Sequence, residues 1–214
     1  MGSLRGSILG STWSRNKGGA YVKGKGCPIN PNTSRQQKIR GILSDVSRLW
    51  QGLDVENQVA WNGYADVNPK RDPLGNEYFC TGHQYFVGLS LRLKDAGDDI
   101  VDTPPQSPVP QTAAGVAVTT ADGEKISVAF SNTLAADERI VVWQSVPQEG
   151  AADPNFNQAR MVGYSSKEAV TPVELTLPWN MTENYTANFW VGIQNGEGNI
   201  SPVQKDKVTY TPEE

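Results

Sequence analysis

Residues 175–202 read LTLPWNMTENYTANFWVGIQNGEGNISP, and this stretch decides the fold. Tyr185, Ala187, Phe189, Val191 and Ile193 occupy every second position, the period of a strand with one face in a core. Pro178 precedes the run and Gly196 and Gly198 follow it, where the chain must turn. Working outward, the same alternation recurs in GVAVTT, EKISVAFS, RIVVWQSV, ARMVGYSS, TPVELTL and KDKVTYTP. In the second of these, Ile126, Val128 and Phe130 point to one face. Seven short strands separated by turn residues predict a two-sheet sandwich over residues 112–214. This segment contains no Cys, so no disulfide can join its sheets.

Upstream the period changes. VDTPPQSPVPQ places four prolines between Pro104 and Pro110, and residues 98–111 read as a stiff extended linker. Before it, residues 33–97 read as three helices. Thr33 or Asn32 caps the first, over about Ser34 to Trp50, with an apolar stripe of Ile39, Ile42, Leu43, Val46, Leu49 and Trp50. Asp54 caps the second, with Val59, Trp61 and Tyr64 as its contacts. Thr81 caps the third, whose main face is Tyr85, Phe86, Leu89 and Leu93. Three short helices bury little alone, so the unit needs another surface to dock on. The predicted fold class is therefore α+β.

The charge is uneven. The 214 residues sum to −4, but residues 1–50 hold nine bases against the single acid Asp45. Residues 51–214 hold ten bases against 22 acids. A basic head on an acidic body points to an arm that meets an acidic partner. The arm, residues 1–32, contains two short strands, SILGSTWS and AYVKG, around a turn at Gly18 and Gly19. Trp13 and Tyr21 are expected near each other across the pair. The expected partner-binding residues are Arg5, Trp13, Arg15, Lys17, Tyr21, Lys23 and Lys25 in the arm, with Arg35, Lys38 and Arg40 on the first helix. Ordering a chain costs roughly 1–2 kcal/mol of backbone entropy per residue. With seven glycines in its first 26 residues and few large apolar side chains, the arm is expected to order only on assembly, along a neighbouring subunit.

Little chemistry is on offer. There is one histidine, His83, and two cysteines, Cys27 and Cys80, which are expected as free thiols. No Cys/His cluster supplies zinc ligands, and no phosphate-binding glycine loop is present. Asp98, Asp99 and Asp102 lack the spacing of a calcium loop and read as a solvated acidic run. We expect no enzyme activity, no metal and no cofactor. No apolar run reaches the roughly 18 residues of a membrane span. The N-terminus lacks the apolar core of a signal peptide, so synthesis and initial folding in the cytosol are expected. The N-x-[ST] matches at Asn32, Asn180 and Asn184 then carry no meaning.

Two resemblances add to this. The stretch 175–202 resembles the E–F corner, F strand and F–G turn of a fibronectin type III domain, an immunoglobulin-like sandwich. The resemblance implies that Tyr185 is a corner tyrosine bonded back to backbone near Leu177–Trp179. It departs from the family at Phe130, where a tryptophan is usual. GSLRGSILGSTWSRNKGGAYVKGKGCPINPN, the AWN of the second helix and FVGLSL of the third resemble a group of uncharacterised tailed-phage and prophage proteins. That resemblance covers residues 1–97 and implies a virion context. The expected function is a structural subunit of a bacteriophage particle, either a capsid decoration protein or a head–tail or neck component. Its partners would be other virion proteins and copies of itself, with no membrane. Two alternatives stay open: a binding module for a host glycan or protein, and nucleic-acid binding by the basic arm.

Overall fold

The computed structural model describes residues 6–8, 10–16, 19–24, 30–71, 74–107, 109–150, 153 and 156–211. The chain is α+β and divides into two compact units, residues 1–38 and 39–214.

The first unit contains an antiparallel sheet of β1 (Gly6–Ile8), β2 (Ser11–Asn16) and β3 (Gly19–Gly24), in that order. The sequence predicted two strands here. Gly10, at φ 81°, splits SILGSTWS into β1 and β2, a conformation that glycine adopts without a Cβ penalty. Helix α1 (Ser34–Gly52) begins at the end of this unit. Thr33 is its cap. The Gln36 amide donates to Thr33 Oγ1 at 3.3 Å, and the Thr33 amide donates to Gln36 Oε1 at 3.4 Å.

In the second unit follow α2 (Val55–Val67), a minimal hairpin of β4 (Lys70–Arg71) and β5 (Glu77–Tyr78), and α3 (Gly82–Ala96). Val46, Trp61, Phe86 and Leu89 form the helical core. Trp61 and Trp50 each pack on Phe86 with ring centroids 5.5 Å apart. Helices α2 and α3 meet closely at Gly82, whose amide donates to Asn62 Oδ1 at 3.1 Å. A Cβ there would lie 2.6 Å from the Asn62 nitrogen. Thr81 caps α3 as expected, in a reciprocal box with Gln84. Asp54 holds the cap position of α2 but makes no capping bond. Val59, expected as a contact, is 63 % exposed, because it lies on the side of α2 away from Trp61 and Ala65.

The sandwich pairs β6 (Ala117–Thr119), β7 (Lys125–Ala129) and β11 (Val173–Thr176) in one antiparallel sheet. The other holds β8 (Arg139–Gln144), β10 (Arg160–Tyr164), β12 (Tyr185–Gln194) and β13 (Gln204–Thr209), in the order β10-β8-β12-β13. A short extra strand, β9 (Gln148–Glu149), pairs with the start of β12. All seven predicted strands form. Ile126, Val128 and Phe130 face Ile140, Val142, Ala187, Phe189, Val191 and Ile193 across the core. At the open edge, Asp206 Oδ2 accepts from the Val118 amide at 2.7 Å, occupying a donor that would otherwise invite another strand.

One implied contact is not made. Among the described residues Tyr185 gives no side-chain hydrogen bond, and the Trp179 carbonyl accepts from Gln144 Nε2 at 2.9 Å. Gln144 is fully buried and needs that acceptor, whereas Tyr185 is only half-buried.

The proline-rich segment also differs from a free-standing spacer. Gln106 and Ser107 donate their amides to the two oxygens of Glu197, at 2.9 and 3.0 Å, so the chain is held to the β12–β13 turn. Helix α3 meets the sandwich at the start of β8, the end of β10 and the β12–β13 turn. Arg139 closes the junction: its Nη1 donates to Ala96 O at 2.9 Å, taking an orphan carbonyl at the C-terminus of α3. Its Nη2 pairs with Asp98, which also receives Lys167 at 3.0 Å. Asp98 is therefore a half-buried ion-pair partner rather than part of a solvated run, while Asp99 and Asp102 are exposed. At the other end of the contact, a Cβ on Gly198 would sit 2.9 Å from Leu89 O, and Gly198 O accepts from Arg92 Nη1 at 3.3 Å.

Candidate assembly surface

Among the described residues the arm sheet has no core. Of its residues whose exposure is described, none is buried. Register explains how its side chains divide. Trp13 pairs with Val22 and Ser14 with Tyr21, so Trp13 and Val22 share one face while Tyr21, Lys23, Thr12 and Ser14 share the other. Trp13 and Tyr21 thus do not meet, contrary to expectation. Asn16 pairs with Gly19, and a shift of one residue in that pairing exchanges the faces of an entire strand. Trp13 and Tyr21 are each 40 % exposed, and Val22 is 50 % exposed.

The other expected contact residues are scattered. Arg35 and Lys38 lie within one turn of each other on exposed positions of α1, and Arg40 is turned away from both. Arg15 has a described backbone place in β2 only. Arg5, Lys17 and Lys25 lie outside the described residues, as do Cys27 and Gly18 of the predicted turn. Cys80 is half-buried, and no disulfide involves it. His83 is exposed, with its ring centroid 5.4 Å from that of Trp50.

A second feature was not foreseen. Between Leu43 and Phe79, eight large apolar side chains are exposed. On α1 only Val46, the centre of the predicted stripe, is buried, and Leu43 and Leu49 at its two margins face outward. Beside Leu49, the residues Asp45, Arg48, Leu53, Asp54 and Asp102 line a groove of about 500 Å³. The Trp61 indole holds one wall in place by donating to Asp102 O at 2.8 Å. The signal for this surface lay in the sequence as the width of the α1 stripe together with Val59, both of which read as core.

Among the described residues, no group of three or more His, Cys, Asp or Glu is placed to hold a metal ion. Among them no helix is long and apolar enough to cross a membrane.

No family model matches the chain, and no curated protein matches it. Similar solved structures are fibronectin type III and other β-sandwich domains, each covering about half the chain. A computationally redesigned β-sandwich protein is similar over 49 % of this chain and 99 % of its own, at 17 % identity and a TM-score of 0.34. The fibronectin type III domain of human fibronectin type III domain containing protein 3 is similar over 51 % and 93 %, at 16 % identity and a TM-score of 0.33. An FN3 domain of human collagen XX covers 50 % of this chain and 100 % of its own, at 13 % identity and a TM-score of 0.31. The fold class rests on strand order and core. The chain is an α+β protein that carries a two-sheet antiparallel β-sandwich.

Proposed function

We propose that this chain is a structural subunit of a tailed-phage particle, a capsid decoration protein or a head–tail or neck component. The arm and the exposed helical faces anchor it, and the sandwich projects. The observation that carries this reading is a three-stranded sheet with no buried residue among those whose exposure is described. Small sheets of this kind are marginal in water and are ordered by a surface that covers them. The apolar side chains of α1 and α2 support the same reading, as does the resemblance of residues 1–97 to tailed-phage and prophage proteins. The virion is then its destination, after synthesis in the host cytoplasm.

The test is incorporation. Particles made by the genome that encodes the chain are purified and probed for it by mass spectrometry, with the full gene and with residues 1–32 deleted. The reading expects the full chain in stoichiometric amount and loss of the truncated one. A chain absent from particles contradicts it.

A second reading has one observation in its favour. The outer face of the β6-β7-β11 sheet carries an open polar groove of about 640 Å³, lined by Thr119, Thr120, Asp122, Lys125, Ser127 and Glu174. That lining suits a hydroxyl-rich ligand such as a host glycan. Under this reading the truncated chain still binds host cells. Nucleic-acid binding by the arm is separated by its salt dependence, since affinity carried by phosphate contacts falls steeply as salt rises.

A further inference from the structure

We propose that the groove between α1 and α2 receives the basic arm of a second copy of this chain. This rests on the reading of the arm as the assembly element, and it names the surface that the arm meets.

The groove combines an apolar floor with an acidic rim. Leu49, 48 % exposed, and Leu53 supply the first, and Asp45, Asp54 and Asp102 the second, against the single base Arg48. Asp54 is informative because it stands at the cap position of α2 and makes no capping bond. Its carboxylate is not engaged by the helix it precedes. An occupant that fits must bring positive charge together with large apolar side chains.

The arm has both. Residues 1–32 contain five bases and no acid. On one face of β3 lie Tyr21 and Lys23, and Trp13 with Val22 lies on the other, all four exposed. The complementary halves belong to one sequence, since residues 51–214 carry 22 acids against ten bases. A second copy therefore satisfies the requirement without any other protein. The contact is heterologous, arm into groove, and generates a ring where the rotation closes and an open chain where it does not.

The experiment uses the full-length protein. Tyr21 is replaced by photoreactive benzoylphenylalanine, and ¹⁴N- and ¹⁵N-labelled chains are mixed at the highest soluble concentration and irradiated. Cross-linked peptides of mixed isotope that join the arm to residues 45–57 are expected. Asp45→Lys combined with Asp54→Lys, both on exposed positions, should weaken self-association roughly tenfold, and Lys23→Glu should restore part of it. A chain that stays monomeric, cross-links confined to one isotope, or cross-links that map to another surface would overturn the proposal. A chain that does not associate with itself yet is found in particles overturns this inference alone. One that associates through the groove but is absent from particles overturns only the particle reading.

Discussion

The chain builds two antiparallel sheets that obey the same local rules and end in opposite states. In β12 every residue from Thr186 to Gln194 is buried, on both faces of the strand. In β2 and β3 no residue of described exposure is buried on either face. The difference is not strand propensity, because Trp, Tyr, Val and Thr occur in both. It is cover. One face of β12 looks into the sandwich core, and on the other Phe156 packs against Trp190 and Asp153 accepts from Asn188. The arm sheet has no such layer among the described residues. Hydrogen bonding builds the ladder, but burial of apolar surface is what holds it.

The largest expected effect falls on the covered sheet. Phe189→Ala removes a fully buried ring from the sandwich core. It should lower the unfolding free energy by about 3–5 kcal/mol in urea titration. An effect below about 1 kcal/mol would mean that the sandwich core does not hold the body together.

Gly198→Ala tests the contact between α3 and the β12–β13 turn. It forces a side chain onto a residue at φ 83° and against the backbone of α3. A cost of about 1–3 kcal/mol is expected. Tryptophan fluorescence should change little, since the tryptophans of α1 and α2 and those of the sandwich keep their own neighbours.

The Arg139–Asp98–Lys167 cluster gives a smaller, pH-dependent effect. Burial alone pushes the Asp98 carboxyl up, but the hydrogen bonds and charges of Lys167 and Arg139 more than offset it and hold it below the usual carboxylate range. A carboxyl depressed on folding stabilises above its unfolded pKa, about 3.9, and that contribution is lost as pH falls through the lower folded value. Asp98→Asn should therefore be less stable than the parent at neutral pH, by about 1–2 kcal/mol. The gap should narrow below about pH 4. A gap that widens in acid contradicts the assignment.

Trp13→Ala should have the smallest effect on the free chain, within about 0.5 kcal/mol. The same substitution should reduce incorporation into particles. A large loss of stability in the monomer would show that the arm already has a covered core.

Much of this architecture was legible in the sequence. All seven sandwich strands follow from period two, and the buried face of α3, with Phe86, Leu89 and Leu93, from helical spacing. What was not legible depends on a second surface. Thr186, Asn188 and Gln194 lie on the polar side of the alternation, yet all three are buried. Leu43, Leu49 and Val59 read as core, but three short helices offer too little partner surface to cover all their apolar flanks. The faces of Trp13 and Tyr21 hang on a one-residue choice of register that composition does not encode. The role of Arg139 depends on the end of α3 lying against it, which no local sequence pattern encodes.

The central claim is that the arm sheet gains its cover from assembly. Amide hydrogen exchange, measured on the full chain as a dilute monomer and again in purified particles, tests this most directly. Amides of β12 should be protected in both states. Amides of Ser11–Asn16 and Gly19–Gly24 should exchange almost freely in the monomer and be protected in the particle, Trp13 and Tyr21 most of all. Strong protection of β2 and β3 in the dilute monomer would contradict the account and make the arm an independently folded part of the chain.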